Sequence, residues 1–135
     1  MFRIQLMFRI QWAITLTLLW GMTGHAAAQG NQSALEEGQR VFDKQCGGCH
    51  SIQARVQRAG PSLYGVVGRS AGKLPGYEFS TVLREADFVW TPEILDVFLQ
   101  DPAAMLPGSF MVFWGLGDPQ REQVIRYLKS VSAEE

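Results

Sequence analysis

The sequence lacks the features that mark several common functional classes. Its 135 residues include only two cysteines and two histidines, and its 12 basic side chains nearly balance its 13 acidic ones. This balance leaves no basic excess for neutralising phosphates, so we predict that the protein does not bind nucleic acid. No stretch alternates apolar and polar residues as a half-buried strand does, and no internal repeat is present. We therefore expect a single all-α domain.

The first 28 residues are typical of a targeting segment. Arg3 and Arg9 precede an uncharged stretch over 10–22, and the three alanines at 26–28 fit the small-residue pattern that signal peptidase accepts. The uncharged stretch is shorter than the roughly 20 apolar residues that span a bilayer. The pattern predicts a secretory signal peptide over 1–28 and a periplasmic domain with no stable membrane insertion after cleavage. Retention of this segment as an anchor is the alternative.

In the remaining domain, three segments carry the cap residues and apolar spacing of helices: 33–46, 91–101 and 118–131. The first opens with a Ser-x-x-Glu capping box, and the other two open with a cap residue followed by proline. Between them lie a glycine-rich segment, 47–76, and a strongly apolar one, 103–117. Loops of this length need something to fold around, which favours a bound cofactor.

A known cofactor-attachment sequence lies at the end of the first predicted helix. Cys46 and Cys49 are followed directly by His50, and Cys-x-x-Cys-His is the attachment sequence of c-type haem. Two intervening residues let both sulfurs reach the two vinyl positions along one porphyrin edge, and the next residue brings its imidazole beneath the iron. We predict one haem c, bound through thioethers at both cysteines, with His50 as an axial iron ligand.

Three other interpretations fit a pair of cysteines. A closed zinc site needs four Cys or His ligands, but residues 29–135 contain only Cys46, Cys49 and His50. A thioredoxin-like redox pair follows a strand of an α/β fold, whereas this pair follows a predicted helix. A plain disulfide suits an oxidising compartment, but it explains neither the histidine nor the apolar loops. Haem attachment accounts for more of these features than any of the three.

The second axial position of the iron requires another ligand, and residues 29–135 hold no second histidine. Methionine is the natural candidate, and the apolar segment contains Met105 and Met111. Met111 follows a Pro-Gly-Ser-Phe turn that can present a side chain inward, although any one methionine can also serve as core filler.

Taken with these motifs, the chain resembles the class I cytochromes c, that is, the mitochondrial type and its bacterial periplasmic relatives. The resemblance implies an all-α fold of three main helices, with long loops wrapped around one covalently bound haem. It rests on a glycine and two aromatics that match the family's helix crossing, on a Gly-Pro-x-Leu segment, and on a Pro-Gly-x-x-Met-x-Phe segment. The residues concerned are Gly38, Phe42, Tyr127, 60–63 and 107–113.

The resemblance also implies roles for individual residues. It makes the Pro61 carbonyl the acceptor for the ring N–H of His50, and it places Met111, not Met105, at the second axial position. It places Phe113 against the exposed haem edge. The residues that it places at the haem propionates are Arg69, Tyr77 and Trp90.

Ligation by histidine and methionine closes both axial positions of the iron. We therefore expect a soluble periplasmic one-electron carrier of a respiratory chain, not an enzyme. Two alternatives stay open: an electron-accepting cytochrome subunit of a periplasmic dehydrogenase complex, and a haem peroxidase or ligand-binding module in which Met111 dissociates.

The face around the proposed haem edge is unusual in charge. The family commonly surrounds this edge with lysines, but residues 85–120 contain neither Lys nor Arg. We expect redox partners, a dehydrogenase donor or an oxidase acceptor, to dock through apolar contact, with association rates that change little with salt. The residues expected on this face are Met105, Leu106, Phe110 and Trp114.

Overall fold

A computed structural model describes residues 25–132, and the regular structure within this range is helical. Its helices are α1 His25–Gln45, α2 Thr81–Arg84, α3 Pro92–Gln100, α4 Pro102–Met105 and α5 Asp118–Ser130. Across these described residues there is no β-strand, and a single antiparallel bridge joins Ser70 to Val89. The predicted all-α fold with three main helices is confirmed. The two four-residue helices, α2 and α4, were not predicted.

Helix α1 begins earlier than its capping box indicates. The predicted start at Ser33 is wrong, because the helix already includes His25. The upstream segment is rich in Ala and Gln, which are good helix formers, and they carry the helix through Ser33. Ser33 and Glu36 are therefore exposed positions in the helix interior.

The predicted signal peptide falls almost entirely outside the described residues. Of residues 1–28, only 25–28 are described, and they belong to α1. Over residues 25–132, no helix combines the length and the apolar character needed to cross a bilayer.

Helices α1 and α5 cross where Gly38 removes the side chain that would keep them apart. A Cβ on Gly38 would stand 2.2 Å from the Gln123 carbonyl oxygen and 2.7 Å from Tyr127 Cβ. One turn further along α1, the Phe42 ring packs against the Tyr127 ring, with centroids 5.9 Å apart and planes inclined by 53°. The crossing is therefore formed by the three residues that the resemblance indicated.

The ends of α3 and α4 follow from their cap residues. The Thr91 hydroxyl accepts a hydrogen bond from the Ile94 amide at 3.2 Å, and Pro92 occupies the first helical position. The Asp101 carboxylate accepts a bond from the Ala104 amide at 3.0 Å. Asp101 and the proline after it therefore end α3 and start α4.

The core lies between α1, α3, α5 and the loops that join them. Burial of each large apolar side chain contributes roughly 1.5–3 kcal/mol relative to leaving it exposed. The cluster consists of Val41, Phe42, Val66, Ala71, Trp90, Leu95, Phe98, Leu99, Leu106, Leu116, Val124, Ile125, Tyr127 and Leu128.

The glycine-rich loop is fixed to the segment before α3 by backbone hydrogen bonds. The Gly68 amide donates to the Trp90 carbonyl, and the Trp90 amide donates to the Arg69 carbonyl, both at 2.9 Å. Gly68 has a φ of +91°, a left-handed conformation that glycine adopts without strain. These bonds bring Arg69 and Trp90, which are distant in sequence, to one place in the fold.

Candidate functional site

The Cys-x-x-Cys-His run continues directly from the last turn of α1. The Cys46 amide donates to the Phe42 carbonyl at 2.8 Å, as in a helix. The amides of Cys49 and His50 then both donate to the Cys46 carbonyl, at 3.0 and 2.9 Å. The run is thus one tight turn, and it brings both cysteines and the histidine to the wall of a single cavity.

The imidazole of His50 is held in one tautomer. Its Nδ1 lies 2.8 Å from the Pro61 carbonyl oxygen, the acceptor that the resemblance implied. Because a carbonyl can only accept, Nδ1 carries the proton and Nε2 keeps its lone pair. Burial lowers the pKa of His50, with the bond to Pro61 acting in the opposite direction. The neutral imidazole, which is the form that binds metals, is therefore favoured.

Gly60 fixes the position of the same ring. A Cβ on Gly60 would stand 2.4 Å from Cε1 and 2.7 Å from Nδ1 of His50. The Gly60 amide in turn donates to the Cys49 carbonyl at 2.8 Å. The loop over 60–61 is therefore packed against one side of the imidazole and hydrogen-bonded to the motif that carries it.

The two cysteines form no disulfide with each other, and they differ in burial. Cys46 is half-buried and Cys49 is exposed. As long as Cys46 is a thiol, burial raises its pKa to about 11, which disfavours the thiolate that thiol exchange needs. Within residues 25–132, no group of three or more His, Cys, Asp or Glu side chains is arranged to hold a metal ion.

A cavity of about 370 Å³ opens beside the motif, within the range of roughly 300–1,000 Å³ that is usual for small-molecule sites. Its wall is largely apolar, and much of the wall comes from core residues of α3 and α5. All nine site residues predicted from the sequence line it: Cys46, Cys49, His50, Pro61, Arg69, Tyr77, Trp90, Met111 and Phe113. Sequence positions spread over more than half of the chain thus meet in one site.

The segment over 106–117, which we call the Met111 loop, forms one side of this cavity. Gly108, with a φ of +87°, makes the sharp turn before Met111, and the Ser109 hydroxyl accepts a hydrogen bond from the Met111 amide at 3.2 Å. Met111 lines the cavity together with Phe113. Met105 lies in α4; both methionines pack partly against the hydrophobic core, but Met105 does not line the cavity. Of the two candidate methionines, Met111 is the one at the cavity.

Arg69 and Trp90 place polar groups on the cavity wall. The Arg69 guanidinium is held by bonds to the Tyr64 carbonyl at 3.0 Å and the Ser62 carbonyl at 2.9 Å, and burial lowers its pKa. The Trp90 ring is buried, and its edge-on contact with Phe88 has centroids 4.9 Å apart. Both side chains have fixed positions at the cavity.

Tyr77 also lines the cavity, but its hydroxyl donates to the Ala59 carbonyl at 3.0 Å. That bond joins the loop around Tyr77 to the loop after the haem motif. The side-chain amide of Gln57 adds a second connection between the two loops, because its Nε2 donates to the Pro75 carbonyl at 3.1 Å. The contact of Tyr77 with a propionate stays a prediction.

The sequence analysis missed Ser80, which also lines the cavity. Ser80 is only 1% exposed, and its hydroxyl is buried with no hydrogen-bond partner among the described residues. A serine just before a helix is read from sequence as an N-cap, but the Ser80 side chain makes no cap bond to α2. Because a buried hydroxyl without a partner is costly, its position indicates a polar group of a ligand.

The expected apolar face differs in composition from the prediction. Leu106 is buried in the core and does not belong to it. Phe110, Val112 and Trp114 are 69%, 89% and 97% exposed, and we call these three side chains the apolar ridge. Exposure alternates along the Met111 loop: Met111 and Phe113 are partly buried, and they line the cavity together with the exposed Phe110 and Val112. Val112 was missed because no local pattern separates its exposed position from that of a core valine.

The residues at the cavity fit a haem. Two cysteines and an imidazole with a free Nε2 lie on one side, a thioether sulfur is on the wall, and the wall is otherwise largely apolar. The Arg69 guanidinium is suited to bind a carboxylate. So is the Ser80 hydroxyl, which has no hydrogen-bond partner among the described residues. Fold and site together define a small all-α protein built to hold a c-type haem.

Comparison with known proteins agrees with this class. The family model for cytochrome c matches residues 35–132. Cytochrome c of Euglena viridis is 40% identical over 97 residues, which cover 71% of this chain and 95% of that protein. Cytochrome c2 of Rhodopila globiformis is 40% identical over 96 residues, covering 70% and 91%. Cytochrome c2 iso-2 of Magnetospirillum fulvum is 44% identical over 87 residues, covering 64% and 91%.

The chain therefore belongs to the cytochrome c family, with the all-α class I fold. Membership makes it a haem-based electron carrier, with haem c attached covalently at Cys46 and Cys49. Its partners are redox proteins.

Proposed function

We propose that the protein is a soluble periplasmic one-electron carrier in which His50 and Met111 are the two axial ligands of the haem iron. The observation that carries this proposal is that an imidazole fixed with Nε2 free and a methionine of the Met111 loop line the same cavity as the two cysteines. Residues 29–135 contain no other histidine that could act as an acid–base group at the iron. This favours electron transfer over peroxidase chemistry.

The haem, when bound, supplies an iron that takes up and releases one electron between its ferric and ferrous states. The chain holds both ligands in place during this change, since Pro61 and Gly60 fix the His50 ring and the turn at Gly108 and Ser109 directs Met111. The largely apolar wall disfavours the entry of water and polar ligands. A site that changes little between oxidation states is suited to rapid transfer.

Arg69, Trp90 and Ser80 are proposed to receive the haem propionates, with Tyr77 close to them. Within residues 25–132 the hydrogen bonds of the Arg69 guanidinium go to backbone carbonyls, so no carboxylate of the protein offsets its partly buried charge. A propionate would provide that charge and would also accept from the Ser80 hydroxyl. Phe113 would pack against the haem edge from the Met111 loop.

The apolar ridge is the proposed docking surface for a dehydrogenase donor or an oxidase acceptor. Monomeric proteins seldom leave Trp, Phe and Val side chains this exposed side by side, and such patches commonly mark interaction sites. The absence of Lys and Arg over 85–120 leaves no basic charge to steer an acidic partner. We therefore propose that the partner contributes an apolar surface.

The exposed ridge also favours a second candidate, a cytochrome subunit held permanently in a periplasmic dehydrogenase complex. Trp114 is 97% exposed. Such an apolar side chain promotes non-specific association in a freely diffusing protein, whereas in a stable complex it is buried in the interface. Sedimentation of the native protein from a periplasmic extract separates the two candidates. A free carrier has a sedimentation coefficient that corresponds to a mass of 15.1 kDa or less, whereas a permanent subunit sediments together with its much larger complex.

Periplasmic location and cleavage of residues 1–28 are part of the proposal. They rest on the sequence pattern of those residues, with cleavage after Ala28. Mass spectrometry of the protein from fractionated cells tests both. A mature chain starting at Gln29 in the periplasmic fraction is expected, and a full-length chain in the membrane fraction would contradict cleavage.

Visible spectroscopy of the haem-loaded protein tests the ligation. We expect a low-spin spectrum in both oxidation states, the weak red band of methionine–iron ligation in the ferric protein, and no binding of carbon monoxide by the ferrous protein. Met111→Ala removes the red band and allows carbon monoxide to bind, whereas the control Met105→Ala retains both wild-type properties. A high-spin wild-type spectrum, or loss of the band in Met105→Ala, would overturn the proposal.

The docking proposal is tested by electron transfer to respiratory membranes of the organism that encodes the chain. Trp114→Ser is expected to slow oxidation of the reduced protein at least about tenfold, the size of effect typical of an interface anchor. The control Val56→Ser, at a valine that is 40% exposed outside the ridge, leaves the rate unchanged. A wild-type rate that falls steeply with ionic strength would refute docking by apolar contact.

A further inference from the structure

Among residues 25–132, Arg121 is the one charged residue that is buried, and the proposed function gives it no role. It lies in the second turn of α5 and is only 7% exposed. Its Nε donates to the Asp96 carboxylate of α3 at 2.9 Å, and one terminal nitrogen donates to the Leu116 carbonyl at 2.8 Å. The other terminal nitrogen donates to the Asp118 carboxylate. A buried cation is tolerated because these partners surround it.

The bond to Leu116 ties this cluster to the Met111 loop. Leu116 is the last buried residue of that loop, and its amide donates to the Leu99 carbonyl of α3 at 2.8 Å. Gly115, with a φ of +90°, passes so close to α3 that a Cβ there would stand 2.1 Å from the Gln100 carbonyl oxygen. The downstream end of the loop is therefore held on α3 by its amide and on α5 by its carbonyl.

The middle of the loop has few attachments of its own. Among the described residues, residues 110–115 make one hydrogen bond, in which the Met111 amide donates to the Ser109 hydroxyl. The side chains of the apolar ridge are largely exposed and add little packing, and Met111 and Phe113 are only partly buried against the core. The position of Met111 therefore depends on how firmly the loop is fixed at its two ends.

We propose that Arg121 is a positioning residue for Met111: by holding the Leu116 carbonyl against α3 and α5, it keeps the Met111 loop closed over the cavity. The inference rests on the proposed ligation of the iron by Met111. Asp96 contributes by fixing the guanidinium from α3. Loss of this cluster would release the loop while the helices that form the core stay assembled.

The test compares variants of the holoprotein that separate loop closure from global stability. Arg121→Met removes the guanidinium that makes the bonds of the cluster and keeps an apolar side chain of similar length. Arg126→Met, on the same helix, removes an exposed pair with Glu122 and serves as the surface control. Ile125→Ala, at a buried position that does not line the cavity, serves as the control for global destabilisation.

The readouts are the red methionine–iron band and the rate at which imidazole replaces Met111 on the ferric iron, both measured where each variant is fully folded. Arg121→Met is expected to weaken the band and to raise the replacement rate at least about tenfold, in line with the loss of a charge-assisted hydrogen bond. Arg126→Met and Ile125→Ala are expected to stay within about twofold of wild type. Equal rates in Arg121→Met and Ile125→Ala would overturn the inference.

Two further measurements make the result decisive. Asp96→Asn keeps the bond from Arg121 to Leu116 and weakens only the support from α3, so a smaller rise in the same direction is expected. If Arg121→Met does not fold, Asp96→Asn serves as the test instead. An imidazole replacement rate in Asp96→Asn equal to that of wild type would then overturn the inference. Absence of the red band in the wild-type protein refutes ligation by Met111 itself, which is a separate outcome.

Discussion

Replacing Gly60 by alanine tests how the imidazole ring of His50 is held. The new Cβ would stand 2.4 Å from Cε1 of His50, whereas carbon atoms in favourable contact are about 3.5 Å apart. Either the imidazole or the backbone at Gly60 must therefore move by about 1 Å. A shift of that size breaks the 2.8 Å hydrogen bond to the Pro61 carbonyl, because contacts near 3.6 Å no longer qualify as hydrogen bonds.

The expected cost of Gly60→Ala combines overpacking, about 1–3 kcal/mol, with the lost hydrogen bond, about 1 kcal/mol. Denaturant unfolding of the holoprotein should therefore show a free energy of unfolding lower by about 2–4 kcal/mol, and the visible spectrum should show weakened axial ligation. Gly48→Ala is the matched control, since a Cβ there has no atom within 4 Å. If the two variants agree within about 0.5 kcal/mol and share the wild-type spectrum, Gly60 does not position the ring.

Three other substitutions probe separate parts of the structure. Gly38→Ala should lower the free energy of unfolding by at least about 2 kcal/mol, because the Gln123 carbonyl oxygen lies 2.2 Å from the added carbon and is part of a helix backbone; a smaller loss in urea unfolding would mean that α1 shifts freely. Ser80→Ala should cost the holoprotein about 1.5–3 kcal/mol if its hydroxyl donates to a propionate, whereas a neutral or stabilising result would mean that the hydroxyl has no partner there either. Thr91→Ala should cost about 1 kcal/mol through the lost N-cap, and it should raise the pKa of Glu93, which the Thr91 hydroxyl holds below its usual value. A carboxyl whose pKa is lower in the folded than in the unfolded state stabilises the fold above its unfolded pKa, and this stabilisation is lost as the pH falls. The loss of unfolding free energy in Thr91→Ala should therefore be larger at pH 7 than in acid. An NMR titration in which the pKa of Glu93 is the same in the variant and the wild type would contradict the role given to Thr91.

The sequence predicted correctly those features whose chemical requirement is met by residues close together in the chain. The haem motif, the cap-and-proline start of α3 and the Pro-Gly turn before Met111 are all local, and each was predicted without the structure. The predicted cap at Asp118 is wrong, because Asp118 is the first residue of α5 and its N-cap is Gly117, which has no side chain to accept a cap bond. The glycine at the crossing of α1 and α5 required the family resemblance, because the residues it contacts are about 85 positions away.

Features that depend on distant contacts were missed. The hydroxyl of Ser80 is important because the fold buries it at the cavity wall, and nothing in its neighbours indicates this. Leu106 and Val112 have similar apolar side chains, yet one is in the core and the other is 89% exposed. The start of α1 was misplaced because a capping box is a local preference, and the helix-forming residues before it outweigh that preference.

The alternating exposure along the Met111 loop has a consequence for how such a protein evolves. Val112 is 89% exposed on the proposed docking surface, and its two neighbours in sequence, Met111 and Phe113, line the cavity. A substitution that reshapes the ridge for a new partner displaces the same short backbone that carries the proposed iron ligand. From the proposed ligation and docking surface we therefore expect substitutions that change the choice of partner to change the reduction potential as well.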